Sequence, residues 1–200
     1  MYIIRKEFSF CYGHRVWSQK LNPEFSLDNS CKCRHLHGHE GKVEIILESD
    51  GLQSGMVTDF KHLNWFKKFL DDFLDHKMIL DINDPSLFAM YPFLLHQDTS
   101  AYIEHVVEEV QRLVQDKMEI HSEFPLKSIK PELYKGFLES YQEVLQGLVF
   151  VNFVPTSENL SKFFFEIIQE KMKPILKQSI KLREVSLYET PKSKSSYCNY

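Results

Sequence analysis

The chain has 200 residues, of which 43% are hydrophobic, so it carries enough apolar surface for a folded core and global disorder is excluded. A formal net charge of −4 provides no overall basic surface for duplex nucleic acid, and no apolar run approaches the roughly 18–20 residues of a membrane-spanning helix. We therefore expect neither a nucleic-acid nor a membrane partner. The N-terminal segment lacks the apolar region of a signal peptide, and four cysteines are too few for a disulfide scaffold, so we expect a cytoplasmic protein with reduced thiols.

The first part of the chain predicts two strands and a helix. Spaced apolar side chains predict a strand at residues 2–10, and polar residues 17–32 predict a loop. Apolar and polar residues alternate over 41–50, which predicts a second strand with one buried face. Asp59 is a candidate N-cap for a helix, and residues 81–85 end that unit. The predicted helix carries an apolar stripe of Leu63, Phe66, Phe69, Leu70, Phe73 and Leu74.

Residues 86–150 differ from the preceding segment in their pattern of apolar residues. Two apolar stripes of helical period, the second of them reaching Leu148, predict a pair of amphipathic helices joined by a polar link. We interpret this segment as a helical hairpin inserted into the main fold. The whole chain is then a single domain, 1–200, with an insertion at about 86–150.

The last part of the chain returns to the pattern of the first. A strand is predicted at 149–154, a long helix begins within 155–158, and residues 183–190 alternate as a late strand. The final ten residues are polar, which predicts a loosely held tail.

A cluster of histidines follows the predicted loop. If the segment 33–39 is extended, Cys33, His35, His37 and His39 share one face, because alternate side chains of a strand point the same way. Neighbours on that face lie roughly 6.6 Å apart, close enough for two imidazoles to bind one zinc ion. Gly38 permits close backbone approach, so the pair of His37 and His39 is favoured over the pair of His35 and His37.

A catalytic zinc ion takes three protein ligands and keeps one position open. The third ligand must come from elsewhere, and His14, just past the first strand, is the first candidate. His76 is another notable histidine, since the preceding Asp75 can tune it as a general acid or base. A structural zinc site completed by Cys31 or Cys33 is the alternative.

Five pieces of the chain, in order, resemble the 6-pyruvoyltetrahydropterin synthase / 6-carboxytetrahydropterin synthase family. They are FCYGHR, CRHLHGH, GMVTDF, LDH and PTSEN followed by LYET. The resemblance covers about residues 1–85 and 149–200. It implies an α+β tunnelling fold, an antiparallel β-sheet with two main helices on one face, to which this chain adds the inserted helical hairpin.

The resemblance also implies roles for single residues. The zinc ligands match His14, His37 and His39. The catalytic thiol matches Cys33, and the acid–base pair matches Asp75 and His76. Glu189 matches the catalytic glutamate that anchors the pterin and relays charge, and Thr156 and Ser157 match residues that line the pterin pocket.

Each role has a plainer alternative. Cys33 would otherwise be a small buried residue or a ligand, and Glu189 an outward-facing strand charge. His76 would otherwise interact favourably with the helix dipole at a helix C-terminus. An acidic residue in a first turn, such as Glu158, does the same at a helix N-terminus. Cys11 and Cys31 are additional thiols near the site, and we expect Cys11 to lie in the core.

The implied activity is that of a zinc-dependent lyase acting on 7,8-dihydroneopterin triphosphate. Two products are open, 6-carboxytetrahydropterin on the branch to queuosine-type 7-deazapurines and 6-pyruvoyltetrahydropterin on the biopterin branch. The resemblance is closer to the bacterial queuosine-pathway enzymes. It also implies a homo-oligomer with sites at subunit interfaces. A non-catalytic, zinc-stabilised oligomer that recruits a partner is the alternative from a different class.

Overall fold

The computed structural model describes residues 1–21, 24, 32–91, 143–144, 146–176 and 179–198. The strands are β1 (Tyr2–His14), β2 (His37–Ser49), β3 (Lys77–Asp81), β4 (Leu148–Val151), β5 (Ile180–Thr190) and β6 (Ser193–Cys198). The helices are α1 (Asn64–Phe73), α2 (Leu87–Met90) and α3 (Ser157–Lys171), and short 3-10 turns occur at Trp17–Leu21, Lys32–Arg34 and Phe60–Leu63. The predicted helical hairpin lies outside the described residues except at its end, where residues 143–144 and 146 are helical and Leu148, assigned to the second stripe, begins β4.

The six strands form one mixed sheet in the order β4-β3-β1-β2-β5-β6. The pairs β1–β2, β2–β5 and β5–β6 are antiparallel, as predicted. The prediction of a wholly antiparallel sheet is wrong, because β3 runs parallel to both β1 and β4. Parallel strands need a long crossover connection, and the chain between Asp81 and Leu148 supplies that length. Strand β3 was missed because its apolar run covers only residues 78–80.

Helices α1 and α3 pack side by side on one face of the sheet, as predicted. The ring of Phe66 in α1 contacts Phe8 of β1 at 5.5 Å between centroids and Phe164 of α3 at 5.7 Å. Phe164 in turn meets Phe10 of β1 at 6.1 Å. Aromatic edges meeting ring faces in this way stabilise packing beyond the area they bury. The predicted apolar face of β2, Val43, Ile45 and Leu47, lies in the same core.

The prediction of a loosely held tail is wrong for residues 193–198. They form β6, and Tyr197 packs against the core with its ring 5.1 Å from that of Phe165. The inward-facing ring of Tyr197 and the backbone pairing with β5 hold this segment in place, although its composition is otherwise polar.

The start of α1 follows the prediction closely. Asp59 accepts a hydrogen bond from the backbone N–H of Lys61 and caps the 3-10 turn that leads into the helix. Within the described ranges, no helix is both long and apolar enough to cross a membrane.

Candidate metal centre and active site

Three histidines converge where β1 and β2 meet. The antiparallel register sets His14 opposite His37 and Tyr12 opposite His39. Because alternate residues of a strand share a face, the three imidazoles point to the same side of the sheet. The Nε2 atom of His14 lies 3.0 Å from Nε2 of His37 and 3.1 Å from Nε2 of His39.

The second nitrogen of each imidazole is held by the backbone. His14 Nδ1 lies 2.6 Å from the carbonyl oxygen of Pro155, and His37 Nδ1 lies 2.8 Å from that of His35. His39 donates a hydrogen bond to the backbone of Glu189. Since a carbonyl oxygen only accepts, Nδ1 of His14 and of His37 carries the proton, and Nε2 is left with its lone pair. Such contacts orient metal ligands in zinc proteins.

The donor set fits zinc. A tetrahedral ion with Zn–N distances of about 2.0–2.1 Å separates its ligand nitrogens by about 3.3 Å, close to the spacing observed. All three nitrogens lie within 4.8 Å of one another, and among the described residues no cysteine or carboxylate joins the group. Three histidines without a fourth protein ligand are typical of a catalytic zinc site. Cys31 lies outside the described residues.

Burial favours the neutral form of His14 and His39. It lowers the pKa of His14 to about 4, and the neighbouring His37 and His39 lower it further against an opposing hydrogen bond to Pro155. Burial, followed by the proximity of His37, also lowers the pKa of His39. A metal ion binds neutral imidazole, so the site is prepared for a cation at neutral pH.

Glu189 lies beside this centre, near the end of β5. Its Oε1 atom is 3.7 Å from Nε2 of His14. Burial raises the pKa of Glu189, the charge of Glu158 raises it further, and His37 opposes both. The sequence favoured the helix dipole as the role of Glu158, and the structure places its charge within reach of Glu189. Its position directly after Thr156 and Ser157 was the available signal.

Thr156 and Ser157 occupy the start of α3. The Thr156 hydroxyl accepts the backbone N–H of Asn159 at 3.2 Å and caps the helix. Ser157 Oγ lies 3.4 Å from the carboxylate of Glu158. Because Pro155 directly precedes them and binds His14, this turn lies next to the three histidines. Their predicted role in lining a substrate pocket stays a prediction.

Asp75 and His76 both form hydrogen bonds with the backbone of Cys11. The Cys11 N–H donates to Asp75 Oδ1 at 2.7 Å, and the His76 N–H donates to the Cys11 carbonyl at 2.7 Å. His76 adopts a left-handed backbone conformation, with φ of 59°, which is unfavourable for a histidine. Its ring nitrogen Nδ1 lies 2.9 Å from Asp75 Oδ2. Burial acts to raise the pKa of Asp75, but these hydrogen bonds outweigh it and the pKa is lowered.

His76 lines a cavity of about 570 Å³. His37 and His39 also line it, together with Lys77 and Cys11. The prediction that Cys11 lies in the core is wrong, because its residue is exposed and odd-numbered positions of β1 face away from the helices. A second cavity of about 510 Å³ shares His39 and extends to Glu189, so His39 lies between the two.

Cys33 and His35 do not share a face with the ligands. The extended segment assumed for 33–39 begins only at His37, because Lys32–Arg34 forms a 3-10 turn closed by a hydrogen bond from the His35 N–H to the Lys32 carbonyl. Cys33 is half-buried in that turn and lines neither cavity. Within one chain, His76 lines a cavity together with His37 and His39, whereas Cys33 does not.

Comparisons with known proteins agree with this architecture. The family model described as 6-pyruvoyl tetrahydropterin synthase matches residues 3–199. The 6-carboxy-5,6,7,8-tetrahydropterin synthase of Aquifex aeolicus is 31% identical over 201 residues, covering 97% of this chain and 96% of that protein. The Haemophilus influenzae protein of the same name is 28% identical over 152 residues, covering 72% of this chain and 100% of that protein.

Solved structures share the fold. An uncharacterized protein from Wolinella succinogenes has a TM-score of 0.77 and 41% identity, covering 100% of this chain and 98% of that one. The 6-pyruvoyl tetrahydropterin synthase of Plasmodium falciparum has a TM-score of 0.53 and 19% identity, with coverage of 100% and 98%. At that identity the second likeness shows the fold alone.

Proposed function

Because the chain belongs to the 6-pyruvoyl tetrahydropterin synthase family, we propose that it is a zinc-dependent lyase that converts 7,8-dihydroneopterin triphosphate to 6-carboxy-5,6,7,8-tetrahydropterin. The observation that carries the proposal is the convergence of His14, His37 and His39 beside Glu189, with no fourth protein ligand among the described residues. A closed structural site would present four.

His14, His37 and His39 would hold the zinc ion. When bound there, zinc supplies Lewis-acid catalysis to oxygen atoms of the substrate side chain. The chain's own part is to orient the three imidazoles through backbone acceptors and to favour the neutral form of His14 and His39 by burial.

Glu189 would anchor the pterin ring. A carboxylate accepts two parallel N–H bonds from a guanidine-like ring edge, as it does from arginine. The ring would then occupy the cavity that Glu189 lines, and the side chain would reach the neighbouring cavity past His39. Fixing the ring in this way orients the reacting side chain, which is a large part of what an active site contributes.

Asp75, His76 and Cys33 would move protons. Asp75 holds the His76 ring at 2.9 Å, so the imidazole can return or relay a proton at Nε2, while Cys33 acts as base. The described residues of one chain leave Cys33 outside the cavity of His76. We therefore also propose a homo-oligomer in which a second copy completes the site.

Two relatives named 6-carboxy-5,6,7,8-tetrahydropterin synthase favour the 6-carboxy product. One matches nearly the whole of this chain. The other is matched over its own full length. The 6-carboxy product would place the enzyme on the branch to queuosine-type 7-deazapurines. The 6-pyruvoyl product is the second candidate, since the matching family model bears that description.

The test is a direct assay. Zinc-loaded protein is incubated with 7,8-dihydroneopterin triphosphate, and the pterin product is identified by mass spectrometry, with Glu189→Gln as the control variant. The 6-carboxy product retains one side-chain carbon, whereas the 6-pyruvoyl product retains three. Formation of the first supports the proposal, formation of the second establishes the alternative branch, and an unchanged substrate contradicts both.

A further inference from the structure

Arg15 bridges two segments that the metal centre does not use. Its Nε–H donates to the carbonyl oxygen of Arg34 at 2.6 Å. Its Nη1 donates to both carboxylate oxygens of Asp84, at 2.5 Å for Oδ1. The side chain of Arg15 is 15% exposed and that of Asp84 is 3% exposed, so this ion pair is largely shielded from water.

The first of these segments is the turn that carries Cys33. The Val16 N–H donates to the Cys33 carbonyl at 2.8 Å, next to the bond from Arg15 to Arg34. Two consecutive residues just past the end of β1, Arg15 and Val16, therefore bind two consecutive carbonyl groups of the turn. A 3-10 turn of three residues has little hydrogen bonding of its own, so these contacts define where it lies.

The second segment follows β3. Asp84 Oδ1 also accepts the Ser86 N–H at 2.8 Å, and the Asp84 N–H donates to the Asp81 carbonyl at 3.1 Å. Asp81 receives the indole N–H of Trp17 at 2.8 Å. Since β3 begins directly after His76, the ion pair connects the strand of the acid–base pair to the turn of the thiol.

We propose that Arg15 is a positioning residue for Cys33, acting through the Arg34 carbonyl and the buried carboxylate of Asp84. The proposal rests on the proposed role of Cys33 in catalysis. Only a planar guanidinium offers an Nε donor to one segment and an Nη donor to the other at once. A lysine keeps the charge beside Asp84 but makes a single point contact, so the turn loses its tether to β1.

The experiment compares Arg15→Lys with Arg183→Lys, a matched change at a surface pair with Glu48. Both are made in a chain in which Cys11, Cys31 and Cys198 are serine, so that Cys33 is the only thiol. The measurements are zinc content, the rate of Cys33 alkylation by iodoacetamide as a function of pH, and kcat and KM for the pterin substrate.

Arg15→Lys is expected to keep its zinc and to alkylate at least threefold faster, because the freed turn exposes the half-buried thiol. We expect kcat to fall at least tenfold with KM changed less than twofold, and Arg183→Lys to match its parent. Should Arg15→Lys fail to fold, Asp84→Asn keeps an acceptor of the same shape and is expected to behave in the same way.

Unchanged alkylation in a folded variant would overturn the proposal, and so would loss of zinc, which would mean that Arg15 supports His14 instead. Alkylation and zinc content need no substrate. They therefore decide the role of Arg15 even if the parent protein does not turn over the pterin, which would contradict the proposed function alone.

Discussion

The Nδ1 atom of His14 lies 2.6 Å from the carbonyl oxygen of Pro155, although 141 residues separate the two in the chain. Pro155 precedes the N-cap of α3, so docking of that helix on the sheet sets the orientation of an imidazole in the candidate metal centre. The packing of α3 that completes the core therefore also orients the imidazole of His14.

The metal site is tested by a pair of neighbouring histidines. His37→Ala removes one of three nitrogen donors and is expected to lose most bound zinc. His35→Ala should retain it, because His35 is exposed and supports His37 only through its backbone carbonyl. Metal analysis of the two purified variants checks this. Equal zinc loss in both would refute the assigned ligand set.

The metal-free protein should lose stability in mild acid. The unfolded chain binds a proton at His14 with a pKa near 6.5, whereas the folded protein does so only near 4. Between these values the unfolded state binds more protons, so stability falls as the pH is lowered from 6.5 towards 4. The loss from this group between pH 7 and pH 5 is about 2 kcal/mol.

Urea unfolding of chelator-treated protein at the two pH values measures that loss. His14→Gln, which does not titrate in this range, serves as the control, and its stability should depend less on pH by the same amount. An identical pH dependence in both proteins would contradict the burial of a neutral His14.

The thiols of Cys33 and Cys11 should differ in their effects. Cys33→Ala is expected to keep its zinc and lose turnover by about 10²-fold or more, the usual scale for a general base. Cys11→Ala should retain turnover, because its backbone and not its thiol binds Asp75 and His76. Steady-state kinetics with metal analysis distinguish the two. Loss of zinc in Cys33→Ala would make Cys33 a ligand instead.

Tyr12 carries a buried hydroxyl that lacks a hydrogen-bond partner among the described residues. Burial, followed by the charge of Glu189, raises its pKa. Tyr12→Phe removes an unsatisfied group without changing the ring, so the free energy of unfolding should stay equal or rise by up to about 1 kcal/mol. Tyr188→Phe is the contrast, since the Tyr188 hydroxyl donates to the buried Glu44 at 3.2 Å.

Denaturant unfolding of both variants provides the comparison. Tyr188→Phe should lose about 1 kcal/mol or more, because a buried carboxylate loses a donor. A Tyr12→Phe variant that is less stable than Tyr188→Phe would show that the Tyr12 hydroxyl is satisfied in solution.

The insertion should be dispensable for metal binding. Every contact of the three histidines described above comes from β1, β2, His35, Pro155 and Glu189, outside residues 92–142. Replacing 92–142 with a Gly/Ser linker of about 15 residues leaves enough chain for the parallel crossover between β3 and β4. We expect unchanged zinc content with an altered melting temperature or oligomer size, measured by metal analysis and light scattering. A folded deletion without zinc would show that the insertion orders the site.

Local sequence patterns were sufficient to predict many of the strands, helices and buried faces of this protein. Alternation in β2 and helical periodicity in α1 and α3 identified the buried faces, because side-chain direction follows from the backbone repeat alone. The spacing of His37 and His39 around Gly38 indicated, for the same reason, that these two imidazoles converge. Gly38 does lie against the backbone of β1, where an added Cβ would meet the Tyr12 carbonyl at 3.1 Å.

The remainder depended on contacts between distant segments. Side-chain type and short spacing are local properties, so they were enough to indicate the candidate site residues. The register of β1 against β2, which sets His14 opposite His37, depends on the folded chain. So do the parallel direction of β3 and the position of Cys33 away from the face of the three histidines. Strand register, strand direction and turn position arise from the free energy of the whole packed core, which no short stretch of sequence contains.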